Sequence, residues 1–338
     1  MFRLIKWVLI LLLIAAAGWS GWWYLGAVGQ EQGIASWLEK QRERGWQAEA
    51  AEISVQGYPL DFNMVAKDIE LADPRNGWAW TAPELLAASA AHSPTRIAVT
   101  WPLEQNASVP GDRVAINATK METLLDVRPG PSMELRQAAT QIASLRMAAQ
   151  TGWTASAESV DFDLAERDDE LGPAHSYALD LDAIKLVLPK QIVARIDPTG
   201  WLKPKIDRLT FQGHGAFDAP LDRKTIENGF AALRAATIRE AGFEWGDMRL
   251  VVRGAFDVNA AGFPDGEIEV EAGEWREMIR LAIRSGMIDV STGETITQGV
   301  ELLTGGGDEL QLTLGLSGGK VKLGPFAIAD APRLSPPQ

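Results

Sequence analysis

The chain has 338 residues, with 32 Lys and Arg against 45 Asp and Glu, a formal net charge of −13 and no cysteine. Without cysteine there is no disulfide framework, thiolate metal site or cysteine nucleophile, and the acidic balance excludes a general nucleic-acid binder, which needs a basic face. A hydrophobic share of 46 % and a charged share of 23 % describe a globular chain rather than a disordered one.

The N-terminus carries the most specific signal. Arg3 and Lys6 precede an uncharged apolar run over residues 7–28 that includes Trp7, Leu11, Trp22, Trp23 and Tyr24. Roughly 22 residues make a helix of about 33 Å, enough for a hydrocarbon core of about 30 Å. Trp22, Trp23 and Tyr24 stand at the far end, where amphipathic rings favour the headgroup layer. Cations before the span and Glu31 after it predict a cytoplasmic N-terminus and export of the rest. A cleaved signal peptide shares the charged start and the apolar run. Leu25-Gly26-Ala27 is a poor cleavage site, with Trp22, Trp23 and Tyr24 just before it, so the anchor reading is preferred. No other run approaches 18 apolar residues, which predicts a single pass through an inner membrane.

Residues 29–46 read as a juxtamembrane helix, with Ile34, Trp37, Leu38 and Gln41 on one face and a stop at Gly45. Beyond it, period-two alternation dominates. Val160, Phe162 and Leu164 alternate with Asp161 and Asp163; Tyr177, Leu179 and Leu181 alternate with Ala178 and Asp180. Leu209, Phe211, Gly213, Gly215 and Phe217 share a face, as do Met248, Leu250, Val252, Phe256 and Val258. Leu310, Leu312, Leu314 and Leu316 close the series. These are strands with one apolar and one polar face.

Turns are expected at 73–77, 197–200 and Pro264-Asp265-Gly266, and a hairpin at Ser317-Gly318-Gly319. Helices are expected around Ile226, Phe230 and Leu233, around Trp275, Met278, Ile279 and Ala282, and over 292–303. Arg167-Asp168-Asp169-Glu170 reads as a charged loop. The predicted fold is α+β and β-dominated: an N-terminal transmembrane helix, then a large curved antiparallel sheet with long strands and a few packing helices. Its domains are the anchor 1–28, the juxtamembrane helix 29–46, an exported β-rich domain 47–331 with two similar halves meeting near 190–205, and a loose tail 332–338.

Several motifs stand together. Ile53-Ser54-Val55-Gln56-Gly57-Tyr58-Pro59-Leu60-Asp61-Phe62, Gly77-Trp78-Ala79-Trp80, Trp101-Pro102-Leu103-Glu104-Gln105, Gly242-Phe243-Glu244-Trp245-Gly246-Asp247 and Gly319-Lys320-Val321-Lys322-Leu323-Gly324-Pro325 resemble the bacterial domain-of-unknown-function family 2125, over nearly the whole chain. More loosely, Gly262-Phe263-Pro264-Asp265-Gly266 with the strand, helix and glycine-rich hairpin after it looks like the AsmA-like envelope proteins. That likeness implies a single-anchored periplasmic protein with a lipid-carrying β-groove, although this chain is too short to bridge two membranes alone.

Chemistry-bearing patterns are scarce. His92, His175 and His214 lack metal-ligand spacing, and no phosphate loop, dinucleotide fingerprint or nucleophile elbow is present. Asp161 with Asp163, and Asp180 with Asp182, read as a solvated strand face rather than an acid–base pair. No catalytic, cofactor or metal residue is assigned, and no cofactor is expected. The tryptophans are read first as core and turn anchors. Trp78, Trp80, Phe211, Phe217 and Trp275 are the candidates for lining an apolar groove. The sequence thus predicts a non-enzymatic envelope protein whose partner is membrane lipid, held as a lipid or acyl chain in that groove. The alternative is a periplasmic assembly or scaffold protein with a filled core and an acidic surface for other envelope proteins.

Overall fold

The computed structural model describes residues 2–167, 175–229 and 231–335. The charged run 168–170, the helix-face residue Phe230 and the last residues of the tail, 336–338, lie outside them. Strand accounts for 53 % of the chain and helix for 23 %, with a long apolar helix followed by antiparallel sheet, as the alternation predicts.

The chain forms two compact units: Met1–Asn117 with Met121–Asp126 and Ala149–Thr151, and the remainder. In the first, α1 runs unbroken over Phe2–Glu43, so span and juxtamembrane segment are one helix about 63 Å long. Gly45, at φ +87°, ends it: its N–H bonds to Arg42 O and that of Trp46 to Gln41 O, satisfying carbonyls that the helix leaves open. The strands are β1 (Gln47–Glu49), β2 (Glu52–Gln56), β3 (Asp61–Asp73), β4 (Trp78–Ala90), β5 (Ser93–Thr100), β6 (Glu104–Val109), β7 (Asp112–Asn117) and β8 (Lys120–Val127). β3 pairs with β1 and β2 along one edge and β4 along the other; β4 continues to β5 and β6. The predicted turn at 73–77 forms around Asp73, whose carboxylate accepts from Arg75 N and Asn76 Nδ2.

The core of this unit joins helix to sheet: Ala27, Phe62 and Ala91 are buried, with Trp23 and Val55 against them. A Cβ on Gly26 would lie 2.6 Å from the Phe62 ring, so only glycine lets that ring reach the helix. Glu31 accepts the Val55 N–H at 2.9 Å. The helix beyond residue 22 is therefore docked on the β-body.

The second unit is an antiparallel meander. Its strands are β9 (Leu135–Ala149), β10 (Thr154–Glu166), β11 (Ser176–Val187), β12 (Lys205–Phe217), β13 (Leu233–Trp245), β14 (Met248–Val258), β15 (Pro264–Gly273), β16 (Glu309–Ser317), β17 (Lys320–Leu323) and β18 (Phe326–Asp330). Each pairs with the next. Helices α2 (Lys190–Ile196), α3 (Arg223–Asn228), α4 (Trp275–Arg284) and α5 (Val290–Thr304) are inserted between strands. The stretch 190–205 holds α2 and the turn before β12, all within this unit. The register shifts at Gln212/Gly213 and between Ile238 and Ala241 both put an extra residue into β13 around Arg239, a bulge against each of its neighbours that bends the sheet there.

Three expectations are corrected. Leu233 does not belong to the helix around Ile226: α3 stops at Asn228, followed by Gly229 at φ +115°, and Leu233 opens β13. Pro264-Asp265-Gly266 is strand rather than turn, because the reversal is made earlier, by Asn259, whose Oδ1 accepts from Ala261 N and Phe263 N. The tail is tied down through Ser335: Leu334 N donates to Gly262 O, and Ser335 Oγ to Leu233 O. Ala331 and Ser335 are buried.

Candidate functional site

The register of the second unit aligns its apolar positions into rows across the sheet. One row reads Phe162, Leu181, Phe211, Ala241, Val252, Val270 and Leu312; the next reads Leu164, Leu179, Gly213, Ile238, Gly254, Ile268 and Leu314. No polar side chain interrupts either row. Every side chain in them is part-exposed, neither buried nor fully solvated; Gly213, which has none, is buried. Six strands at 4.7–4.9 Å spacing make this strip roughly 24 Å long between β11 and β16. Those are the proportions of an extended hydrocarbon rather than of a compact small-molecule cavity.

Glycines shape its floor. Phe211 carries its ring within 3.3 Å of where a Gly213 Cβ would stand, and the Phe217 ring does the same at Gly215. The rings lie down over bare backbone, which both covers the glycines and lowers the apolar surface.

Both long sides of the strip are packed. At one, Phe243, Leu250, Ala272 and Leu310 are covered by the helices: Val193, Leu202, Ile206, Trp245 and Met248 form one core, and Ala272, Trp275 and Val300 a second. Trp275 is 1 % exposed, and its Nε1 donates to Gly307 O at 2.9 Å. Asp197 fixes the turn beneath α4. It is buried and accepts from Thr199 N, Thr199 Oγ1 and Leu202 N, with Arg284 3.7 Å away. Burial pushes its carboxyl up, but the hydrogen bonds from Thr199 and Leu202 outweigh that and hold it below the usual carboxylate range. Along the other side Tyr177 is buried, its hydroxyl accepting Leu221 N and its ring meeting Phe217 edge-on at 6.0 Å. Burial raises the phenol's pKa, so the hydroxyl stays protonated.

The opposite face is polar. Asp161 lies across from Asp182, and Asp163 from Asp180, an arrangement that repels. Arg208 grips Asp182 with two nitrogens at 2.8 and 3.2 Å, Arg239 reaches Asp180, and Gln137 donates to Asp163. Asp163, Asp180 and Asp182 are thus occupied by cross-strand partners. A hollow of about 350 Å³ on this side is lined by Arg249, Val251, Glu271, Gly273, Glu309 and Gln311. Among the described residues no group of three or more His, Asp or Glu is placed to hold a metal ion.

The residues singled out in the sequence do not gather at one place. Trp7, Leu11, Trp22 and Tyr24 are exposed on α1, whereas Trp23 turns inward, stacked on Phe62 and donating to Asp61 O. In the first unit Trp78 meets Trp46 edge-on at 4.9 Å, and Trp80 bonds Gln105 Oε1 at 2.8 Å with Trp101 beside it. Each serves local packing. In the second unit Phe211 lies in the strip, Phe217 on its packed side, and Trp275 is part of the helical plug with no surface to offer a ligand. Asp197 and the glycine-covering role of the two phenylalanines were not singled out; the Asp-Pro turn signal at 197 was the visible trace of the former.

Two features define the class: a β-dominated body with a part-exposed apolar sheet face, and one N-terminal helix long and apolar enough to cross a membrane, with a mean hydropathy of 1.8 over its best window. Residues 23–332 match a family described as an uncharacterized protein conserved in bacteria (DUF2125), and the chain belongs to it. The matched region opens at Trp23, whose ring stacks on Phe62 of the β-body. No curated protein and no solved structure matches the chain, so the looser likeness to AsmA-like proteins gains no support from them.

Proposed function

We infer that this is a non-enzymatic envelope protein, held in the inner membrane by α1 with its N-terminus in the cytoplasm and its β-rich bulk in the periplasm. It binds a lipid acyl chain along the apolar strip of the second unit. The observation that carries this reading is the pair of uninterrupted part-exposed rows from β11 to β16. The cations Arg3 and Lys6 before the span support the orientation.

Native mass spectrometry of the full chain purified in mild detergent tests the reading. The expected result is a retained phospholipid that is lost when Val270→Glu places a charge in the middle of the strip. A lipid-free protein, or lipid retained equally by Val270→Glu, refutes the strip as the site. The polar face supports a second reading, an assembly or scaffold protein: four aspartates, Asp161, Asp163, Asp180 and Asp182, meet two arginines, Arg208 and Arg239, a charge excess that suits a cationic partner. A lipid-free protein that cross-links through that face favours it.

A further inference from the structure

We propose that the turn between β2 and β3, Tyr58-Pro59-Leu60, is a second membrane contact, seated in the outer interfacial layer of the bilayer that α1 crosses. The inference rests on the anchor reading above and adds to it a docking surface whose partner is lipid.

Position comes first. α1 holds this turn through its own aromatic residues: Trp19 Nε1 donates to Pro59 O and Trp23 Nε1 to Asp61 O, each at 2.8 Å, and Ser20 Oγ meets the Tyr58 hydroxyl at 2.8 Å. The Trp23 ring stands edge-on to Tyr58 at 5.4 Å. At 1.5 Å per residue, Trp19 and Trp22 lie roughly 24 and 28 Å along the helix from Arg3. Trp23 and Ala27 pack on the β-body, so the lipid-facing stretch ends near residue 22 rather than 28; a core of about 30 Å counted from Arg3 then puts the turn at the level of the far interface.

Chemistry agrees. Tyr58 and Leu60 are 58 % and 67 % exposed, although they belong to a well-bonded turn. Much of its backbone is already occupied: Gly57 O accepts from Leu60 N and Asp61 N, Leu60 O from Ala91 N, and Pro59 and Asp61 carbonyls from the two indoles. A segment with its polar groups paired internally enters a lipid boundary at little desolvation cost. From Glu52 to Asp61 the sequence carries no charge in between. The exposed apolar surface continues onto α1 through Trp22, Tyr24 and Leu25, the aromatic composition that membrane interfaces favour.

The absence of cysteine makes the test direct. Leu60→Cys, Leu11→Cys and Glu43→Cys each give the full chain one thiol, labelled with an environment-sensitive fluorophore. The labelled proteins are reconstituted into phosphatidylcholine–phosphatidylglycerol vesicles and quenched by aqueous iodide or by lipid spin-labelled just below the headgroup. The expected result is a blue-shifted Leu60→Cys emission, quenched by the shallow lipid label and protected from iodide, while Glu43→Cys shows the reverse. Iodide quenching of Leu60→Cys equal to that of Glu43→Cys overturns the proposal. The Leu11→Cys probe separates the causes: protected from iodide, it leaves the anchor standing and only the turn contact refuted; open to iodide, it removes the anchor and the turn contact together.

Discussion

Trp275→Ala is the sharpest test of how the apolar sheet face is closed at its helical end. The indole is 1 % exposed and packs with Ala272, Val300, Leu250, Met278 and Leu310. A tryptophan buries roughly 200 Å², which at about 25 cal/mol per Å² is worth about 5 kcal/mol. The alanine variant keeps Cβ and its surroundings relax in part, so the expected loss is about 3–5 kcal/mol. The lost Nε1 bond adds little, because Gly307 lies on an exposed loop where water replaces the donor. With a urea dependence of about 2 kcal/mol per M, the midpoint should fall by roughly 1.5–2.5 M. Trp275→Phe keeps most of the ring burial and loses the bond, for about 1–2 kcal/mol. Urea melts of the full chain in detergent, with amide exchange on α4 peptides to localise the loss, supply the readout. A Trp275→Ala midpoint within about 0.5 kcal/mol of the parent would refute the plug and make α4 a peripheral helix.

The buried carboxylate beneath α4 gives a pH signature. Its folded pKa is depressed, so its contribution is complete above the unfolded value of about 3.9 and is lost as pH falls through the folded one. Asp197→Asn should therefore cost about 1–3 kcal/mol at pH 7, with the gap to the parent closing on acidification below about pH 4; a gap that is constant or widens contradicts the assigned hydrogen bonds. Gly262→Ala tests the fastened tail: Gly262 has φ +85°, and a Cβ there would lie 2.0 Å from Ser335 O. It should cost about 1–3 kcal/mol and speed carboxypeptidase trimming of the C-terminus, and an unchanged trimming rate would show that the tail is not held there.

The leucines of β16 illustrate what can be read from residues alone. Leu310, Leu312, Leu314 and Leu316 alternate without interruption, and the structure makes them one strand face. β3 resists the same reading because Asp68 adopts φ +48°. Before it the buried positions are the even-numbered Phe62 and Ala66; after it they are the odd-numbered Ile69 and Asp73. A left-handed residue that is not glycine leaves no mark in the sequence, so the period breaks without warning. The Pro264-Asp265-Gly266 turn failed for a related reason: the residues fit a turn, but an asparagine upstream made it first. The tail looked loose because its proline content was visible and its fastening to Gly262 was not. As for the site, apolar rows emerge only once strand registers are known, since Phe211, Val252 and Leu312 are far apart in the chain. That Trp275 would be core followed from its helical stripe, whereas that Trp23 faces inward while Trp22 faces out depends on Gly26 making room for Phe62.

On the anchoring proposed above, a single helix that is both span and docked element leaves no hinge at the membrane surface. Many tethered domains hang from a flexible linker and sweep a hemisphere; here the first unit is a rigid outrigger on a spar about 63 Å long, with Ala27, Glu31 and Leu38 fixed against it. Spans answer hydrophobic mismatch by tilting, so any tilt imposed by a thicker or thinner bilayer is handed on to that unit degree for degree. Bilayer thickness becomes a mechanical input, and the attitude of the body above the membrane its output.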